Sequence, residues 1–185
     1  MGKSWAEWTT EWWKWLLSIP RPENPAEDRT GRCLPGYESN SNVIFLAGTN
    51  GGRAEHKINV HLGTSLLLPV INFTTSFLEE PGLKTESDLI ERARSDIDDI
   101  VYKEASINGA IIEDISKYRV QSLPFDFIYP EDNLFGIPAG FTRCASDGYW
   151  LFIRALPAGK NRVSVGGACS SGRTSVHVVY DVFVE

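Results

Sequence analysis

The 185-residue sequence predicts a mainly β, α+β fold: an antiparallel β-sandwich of jelly-roll type with an N-terminal Trp-rich helix and one middle helix. Three observations lead there. About nine short apolar or alternating runs are separated by Gly, Pro and Asn turn signals. Five of the six tryptophans fall within the first 15 residues, at helical spacing. A second amphipathic, capped segment lies in the middle of the chain. No repeat or linker divides the sequence, so residues 1–185 are expected to form a single domain.

The first element reads as a helix because Trp5, Trp8, Trp12 and Trp15 form one stripe, widened by Trp13, Leu16 and Leu17. Ser4 with Glu7 three residues on reads as a capping box, and Pro20 and Pro22 end the helix. The stripe is expected to lie across a sheet; the alternative is a partner-facing surface. An irregular connection over residues 20–42 follows. Val43–Ala47 reads as a short strand, closed by a hairpin turn at Gly48-Thr49-Asn50-Gly51-Gly52. Residues 56–62 alternate, with Ile58, Val60 and Leu62 on one face. Residues 66–71 are apolar on both faces and read as a buried strand, where Pro69 demands an edge position or a bulge.

Thr85-Glu86-Ser87-Asp88 carries a second cap signature. Leu89, Ala93, Ile97 and Ile100 then recur at near-helical spacing, with Ile90 and Val101 beside them. The rest is strand-like. Short runs are expected at 110–112, 118–122, 125–129, 149–156 and 161–165, then a Gly/Ser loop from Gly166 to Arg173 and a closing strand at 175–184.

Composition narrows function. The net charge of −6 and the lack of a basic cluster argue against a nucleic-acid partner. No apolar run is long enough to span a bilayer, and the acidic flank of the Trp helix disfavours anionic lipid, so no membrane partner is expected. Glu7, Glu11 and Lys14 interrupt the N-terminal apolar residues, so it does not read as a signal peptide. The protein is expected in the cytoplasm, or secreted if a leader has been removed. Cys33, Cys144 and Cys169 are odd in number and widely spaced, which favours free thiols; a Cys144–Cys169 bridge is the alternative.

Three stretches resemble a known family. The first is Trp12-Trp13-Lys14-Trp15, then Ser18-Ile19-Pro20, Asn24-Pro25, Asp28, Thr30-Gly31 and Cys33. The second is Val43–Gly48 with Leu68–Asn72, and the third is Asp147-Gly148-Tyr149-Trp150 with Leu156–Gly159 and Val165-Gly166-Gly167. Together they resemble an uncharacterised bacterial family of β-sandwich proteins, often secreted. In it a Trp-rich N-terminal helix precedes an Asn-Pro-x-x-Asp-x-Thr-Gly loop. The resemblance implies fold and no activity. It also implies a second cysteine where Ile58 stands here, leaving Cys33 without its partner, as suits a reducing compartment.

No catalytic motif appears. Gly48–Gly52 lacks the Gly-Lys-Ser/Thr ending of a phosphate loop, and Ser170-Ser171-Gly172 is no nucleophile elbow. His56 and His61 point to opposite faces of a regular strand, so no metal site is expected from them. Asn24, Glu27, Asp28 and Thr30 are candidate hard-cation ligands, set against plain turn chemistry. Glu113, Asp114, Asp126, Glu131 and Asp132 are candidate acid–base carboxylates. The aromatics of the second half give the strongest binding argument, since rings at the rim of a sandwich stack on sugars or cage apolar ligands. Trp150, Tyr149 and Tyr129 are the candidate ligand-binding residues. The predicted function is a non-catalytic module that binds a carbohydrate or other small organic ligand without a cofactor. The alternatives are a protein-interaction or homo-oligomeric assembly module and a carboxylate-dependent hydrolase.

Overall fold

The computed structural model describes residues 2–31, the backbone of 37–38, and residues 42–185. Helix α1 spans Trp5–Ser18, and two 3-10 turns follow it. Strands β1 (Tyr37–Glu38), β2 (Val43–Phe45), β3 (Gly52–Val60) and β4 (Ser65–Ser76) precede helix α2 (Glu86–Asp98). Then come β5 (Ile100–Ile107), β6 (Ala110–Ile111), β7 (Arg119–Gln121) and β8 (Phe125–Tyr129). Three long strands close the chain: β9 (Gly140–Ile153), β10 (Gly159–Cys169) and β11 (Ser175–Val184).

The strands form two sheets. One runs β1-β2-β4-β9-β7, with β8 also on β9; the other runs β3-β11-β10-β5-β6. Their facing sides share a core that includes Ile58, Leu66, Leu68, Ile71, Leu151, Val165 and Val182. A second apolar cluster lies between α1 and the outer face of the first sheet. The fold is therefore α+β and mostly β, with two helices.

Among the described residues seven strand pairings are antiparallel, but β2–β4 and β3–β11 are parallel, a departure from the wholly antiparallel expectation. The reason lies in the turns. The Gly48–Gly52 and Gly63-Thr64 turns do not close hairpins. They carry the chain from the first sheet to the second and back, so β3 acts as the crossover that any parallel pair requires.

Both helices begin as their cap residues dictate. Ser4 Oγ accepts the Glu7 N–H, and the Ser4 N–H donates to Glu7 Oε2 at 2.6 Å. Thr85 and Asp88 repeat the arrangement at α2. Helix α2 ends at Asp98, so Ile100 and Val101 belong to β5 rather than to the helix. Trp12, Trp13, Leu16 and Leu17 are buried on the sheet. Trp12 meets Trp150 edge-on with centroids 5.1 Å apart, and its Nε1 donates to the Leu46 carbonyl at 2.8 Å. Asn24 caps the far end of α1: its Nδ2 donates to the Leu16 carbonyl at 2.7 Å and the Ile19 carbonyl at 3.1 Å.

Strand β4 carries the bulge that Pro69 demands, since its register against β9 shifts between Pro69 and Ile71. Before the bulge, Leu67 turns its carbonyl to the β2 side and accepts the Leu46 N–H at 2.9 Å. Pro69, two residues on, faces that side with no N–H to give, and the parallel ladder stops.

Other readings need correction. Leu62 lies beyond the end of β3 and is exposed. Gly166 and Gly167 lie inside β10 rather than opening a loop. A Cβ at Gly167 would sit 2.8 Å from Ile71 Cγ2, so glycine lets the two sheets approach here. Cys144 and Cys169 are free, buried thiols in different sheets, and no bridge joins them. Cys33 lies outside the described residues, and Ile58 packs in the inter-sheet core. No helix among the described residues is long and apolar enough to cross a membrane.

Gly167→Ala is expected to lower stability by about 1–3 kcal/mol in urea denaturation, because the added methyl overpacks against Ile71. A loss below about 0.5 kcal/mol would show that the sheets are not in such close contact there.

Candidate functional site

A cleft of about 340 Å³ opens where α1, β4 and β11 meet. Trp12, Trp13 and Leu16 of α1 form one wall, and Val176 and Val178 of β11 form the opposite one. The floor is β4 from Pro69 to Thr74. The Gly48–Gly51 turn closes the end beside Pro69, while Phe135 and Glu79 stand toward the end where β4 finishes. Size and lining match a small-molecule site, mostly apolar with a few polar groups.

Local chemistry fixes these parts. Buried Asn133 staples the loop before β9: its Nδ2 donates to the Pro130 and Ile137 carbonyls, and its Oδ1 accepts the Ile137 N–H. That presents half-buried Phe135, whose ring lies 6.3 Å from Tyr129. Arg173 borders the cleft but is held by Asp96 at 2.6 Å. Two lining residues, Trp13 and Asn72, each keep a buried N–H (Nε1 and Nδ2) without a hydrogen-bond partner among the described residues. These are donors that an acceptor on a ligand would satisfy.

Glu79 is the polar centre. Burial pushes its carboxyl up to about 7, against the opposing hydrogen bonds from Ser76 and Tyr129. The Tyr129 hydroxyl donates to Glu79 Oε2 at 3.2 Å. The neighbouring Cys144 thiol is pushed up to about 12, first by burial and then by the nearby Glu79 charge, so it is no thiolate nucleophile near neutral pH.

The sequence-predicted aromatics are not an exposed platform. Trp150, Tyr149 and Tyr129 are all buried. Trp150 and Tyr149 are successive residues of β9, so they point to opposite faces: Trp150 packs under α1, and Tyr149 enters the inter-sheet core. Tyr129 alone reaches the cleft machinery, through Glu79. Of the lining aromatics, Trp12 and Trp13 belong to the helix stripe, Phe135 is one of the second-half aromatics, and Phe73 of β4 carried no sequence signal. Glu79 carried no sequence signal, because its burial arises from the packing around it.

Most of the other candidates are spoken for, while Glu131 and Asp132 are exposed. Asp28 Oδ1 accepts the Thr30 N–H and hydroxyl, Asn24 Oδ1 accepts the Ala26 N–H, and Glu27 Oε1 accepts from Asn50, so this loop shows turn and capping chemistry. Asp126 is paired with Arg143 at 2.7 Å and Asp114 with Lys117 at 2.8 Å, while Glu113 is exposed. His56 is buried against Tyr180 with centroids 5.0 Å apart. Among the described residues, no group of three His, Cys, Asp or Glu is placed to hold a metal ion.

No family model matches the chain, and no curated protein matches it. One solved structure, "Structure of PbICP-C in complex with falcipain-2", is similar over 76% of this chain and 98% of that chain, at 10% identity and a TM-score of 0.32. A likeness that weak carries no argument about fold or function.

The raised carboxyl gives a signed pH effect. Between its ordinary value of 4.5 and about 7, the folded chain holds a proton at Glu79 that the unfolded chain releases. Stability therefore falls as pH rises through that window. In urea denaturation, wild type is expected to lose on the order of 2 kcal/mol more than Glu79→Gln between pH 4.5 and 7.5. Parallel pH profiles for the two proteins would contradict the burial of this carboxyl.

Proposed function

We propose that the protein is a non-catalytic binding module for a carbohydrate or other small organic ligand, seated in the cleft beneath α1. The observation that carries this reading is the cleft itself: aromatic walls and, among the described residues, unpartnered Trp13 and Asn72 donors and a single lining carboxyl not already in an ion pair. Binding of an apolar body with a few polar contacts needs no more. Phe135, half-buried at the rim, takes the stacking role that the sequence had assigned to Trp150 and Tyr149. Tyr129 acts behind Glu79 rather than on the ligand.

We infer a sandwich, supported by the shared inter-sheet core and by the antiparallel pairings that predominate among the described residues. Its two parallel pairs are a departure from jelly-roll connectivity. The stretches Trp12–Gly31 and Asp147–Trp150 support a kinship with the bacterial Trp-helix family. Free Cys144 and Cys169 support a reducing compartment such as the cytoplasm.

An assembly module is the second reading, favoured by one observation. Ile128 and Phe141 lie directly opposite each other in the β8–β9 ladder and are 68% and 66% exposed. They form an apolar pair on the surface. The Trp helix gives this reading little, since only Trp5 among its tryptophans is more than half exposed.

The test is a thermal-shift panel of mono- and disaccharides, indole derivatives and aromatic amines. A ligand at about 100 times its Kd adds about 2.7 kcal/mol, or roughly 5 °C or more in Tm for a chain of this size. A saturable shift that Phe135→Ala abolishes is the expected result. A flat panel overturns the reading. A concentration-dependent dimer in sedimentation velocity that Phe141→Ser dissolves would then select the assembly module.

A further inference from the structure

The cleft meets β4 in an unusual way. Six consecutive residues, Pro69 to Thr74, line it. Side chains of a strand alternate between faces, so a cavity lying against one face touches every second residue. A cavity that touches all six lies along the strand's edge.

The hydrogen-bond pattern identifies which main-chain groups face that edge. The Ser122 N–H donates to the Ser146 carbonyl at 2.8 Å, so Ser146 turns its main-chain groups away from β4 and toward the β7 side. Thr74, which pairs with Ser146, therefore turns its own N–H and carbonyl away from β9. Phe77 is in phase with this, since its N–H donates to the Arg143 carbonyl of the β9 side. Odd-numbered residues after the bulge thus bond to β9, and Asn72 and Thr74 face the cleft. No described residue accepts from their N–H groups, and none donates to their carbonyls. The stretch is bounded at both ends. Pro69 stops β2 at one, and at the other the Ser76 carbonyl is taken by the Glu80 N–H at 3.0 Å.

We propose that this open edge of β4 takes an extended peptide segment from another molecule as an added strand, paired to Asn72 and Thr74. The proposal rests on the cleft being the binding site and names its occupant. Donors and acceptors repeating every second residue, about 6.6–6.8 Å apart, match the spacing of a polypeptide backbone in extended form. A sugar ring or a flat aromatic would fill the walls without matching that repeat. The walls suit the alternating side chains of such a segment: Trp12 and Trp13 flank one face of the added strand, and Val176 and Val178 the other. Charge selects further. Arg173 is held by Asp96, which leaves Glu79 to favour a basic side chain at the Ser76 end. The partner is thus an extended, largely apolar peptide with a Lys or Arg.

The test is amide hydrogen exchange on the ¹⁵N-labelled full chain, alone and with a library of blocked pentapeptides built from Val, Phe, Thr and Lys. In the free protein, the Asn72 and Thr74 amides are expected to exchange about 100-fold faster than those of Phe73 and Thr75. The best-binding peptide should slow both by about tenfold or more. N-methylation of the peptide amides that face β4 should abolish binding, and N-methylation of the alternate amides should not. The proposal is overturned if Asn72 and Thr74 are as protected as Phe73 in the free protein, if a bound peptide leaves their exchange unchanged, or if the two N-methylated forms bind alike. It also falls if no peptide binds. If small organic probes still bind the cleft in that case, the added strand fails alone; if they do not, the binding module fails with it.

Discussion

The missing N–H of Pro69 is the constraint on which the rest of the site depends. A strand in the middle of a sheet normally gives every donor to a neighbour, and a proline there forces the ladder to break. The break falls on the β2 side, because Leu67 already faces β2 through its carbonyl and Pro69 shares its phase. The bulge between Pro69 and Ile71 then shifts which residues bond to β9. The first half of β4 is thus paired on both edges, and the second half only on one. Without that break, β2 could continue along β4 and no cleft would exist.

Around this edge the fold supplies two walls by independent means. Helix α1 is held on the outer face by Trp12, which packs on Trp150 and donates to the Leu46 carbonyl, the last β2-side group before the ladder fails. Asn24 ties off the end of the helix, so Trp13 and Leu16 are fixed in place. On the other face, Gly167 lets β10 sit against Ile71 and brings the second sheet, with Val176 and Val178, close to the same edge. Helix α2 anchors the far side through ion pairs: Arg119 joins Asp98 to buried Asp147, and Arg173 joins Asp96. Glu79 emerges between these layers and is partly desolvated as a result, which is why its carboxyl titrates near neutrality.

Much of the fold was legible because it rests on local rules. Ser4 with Glu7 and Thr85 with Asp88 are capping boxes wherever they occur before an apolar stripe, and both form. The apolar residues at 66–71 read as buried on both faces, and Pro69 read as an edge or a bulge; it proved to mark both. What could not be read depends on where the chain goes after a turn. The Asn50-Gly51 turn is the same locally whether it closes a hairpin or crosses to another sheet, so the parallel pairs were invisible. Gly167 looked like part of a loop because its role is steric, set by Ile71 some 96 residues away in sequence. The site suffered most. Aromaticity marked Trp150, Tyr149 and Tyr129 as candidates, but strand alternation buried the first two in separate cores. Phe135 was legible only as one of the second-half aromatics, and Glu79 gains its role only from packing.

Nuclear Overhauser effects between α-protons read the phase of β4 after the bulge. In antiparallel sheets the pairs that exchange no hydrogen bonds bring their Cα atoms closer, about 4.5 Å against about 5.5 Å. Strong cross-strand α-proton contacts are predicted between Asn72 and Gly148 and between Thr74 and Ser146. Strong contacts between Phe73 and Asp147 instead would put Asn72 and Thr74 into the β9 ladder, close the edge, and leave no main-chain groups for an added strand.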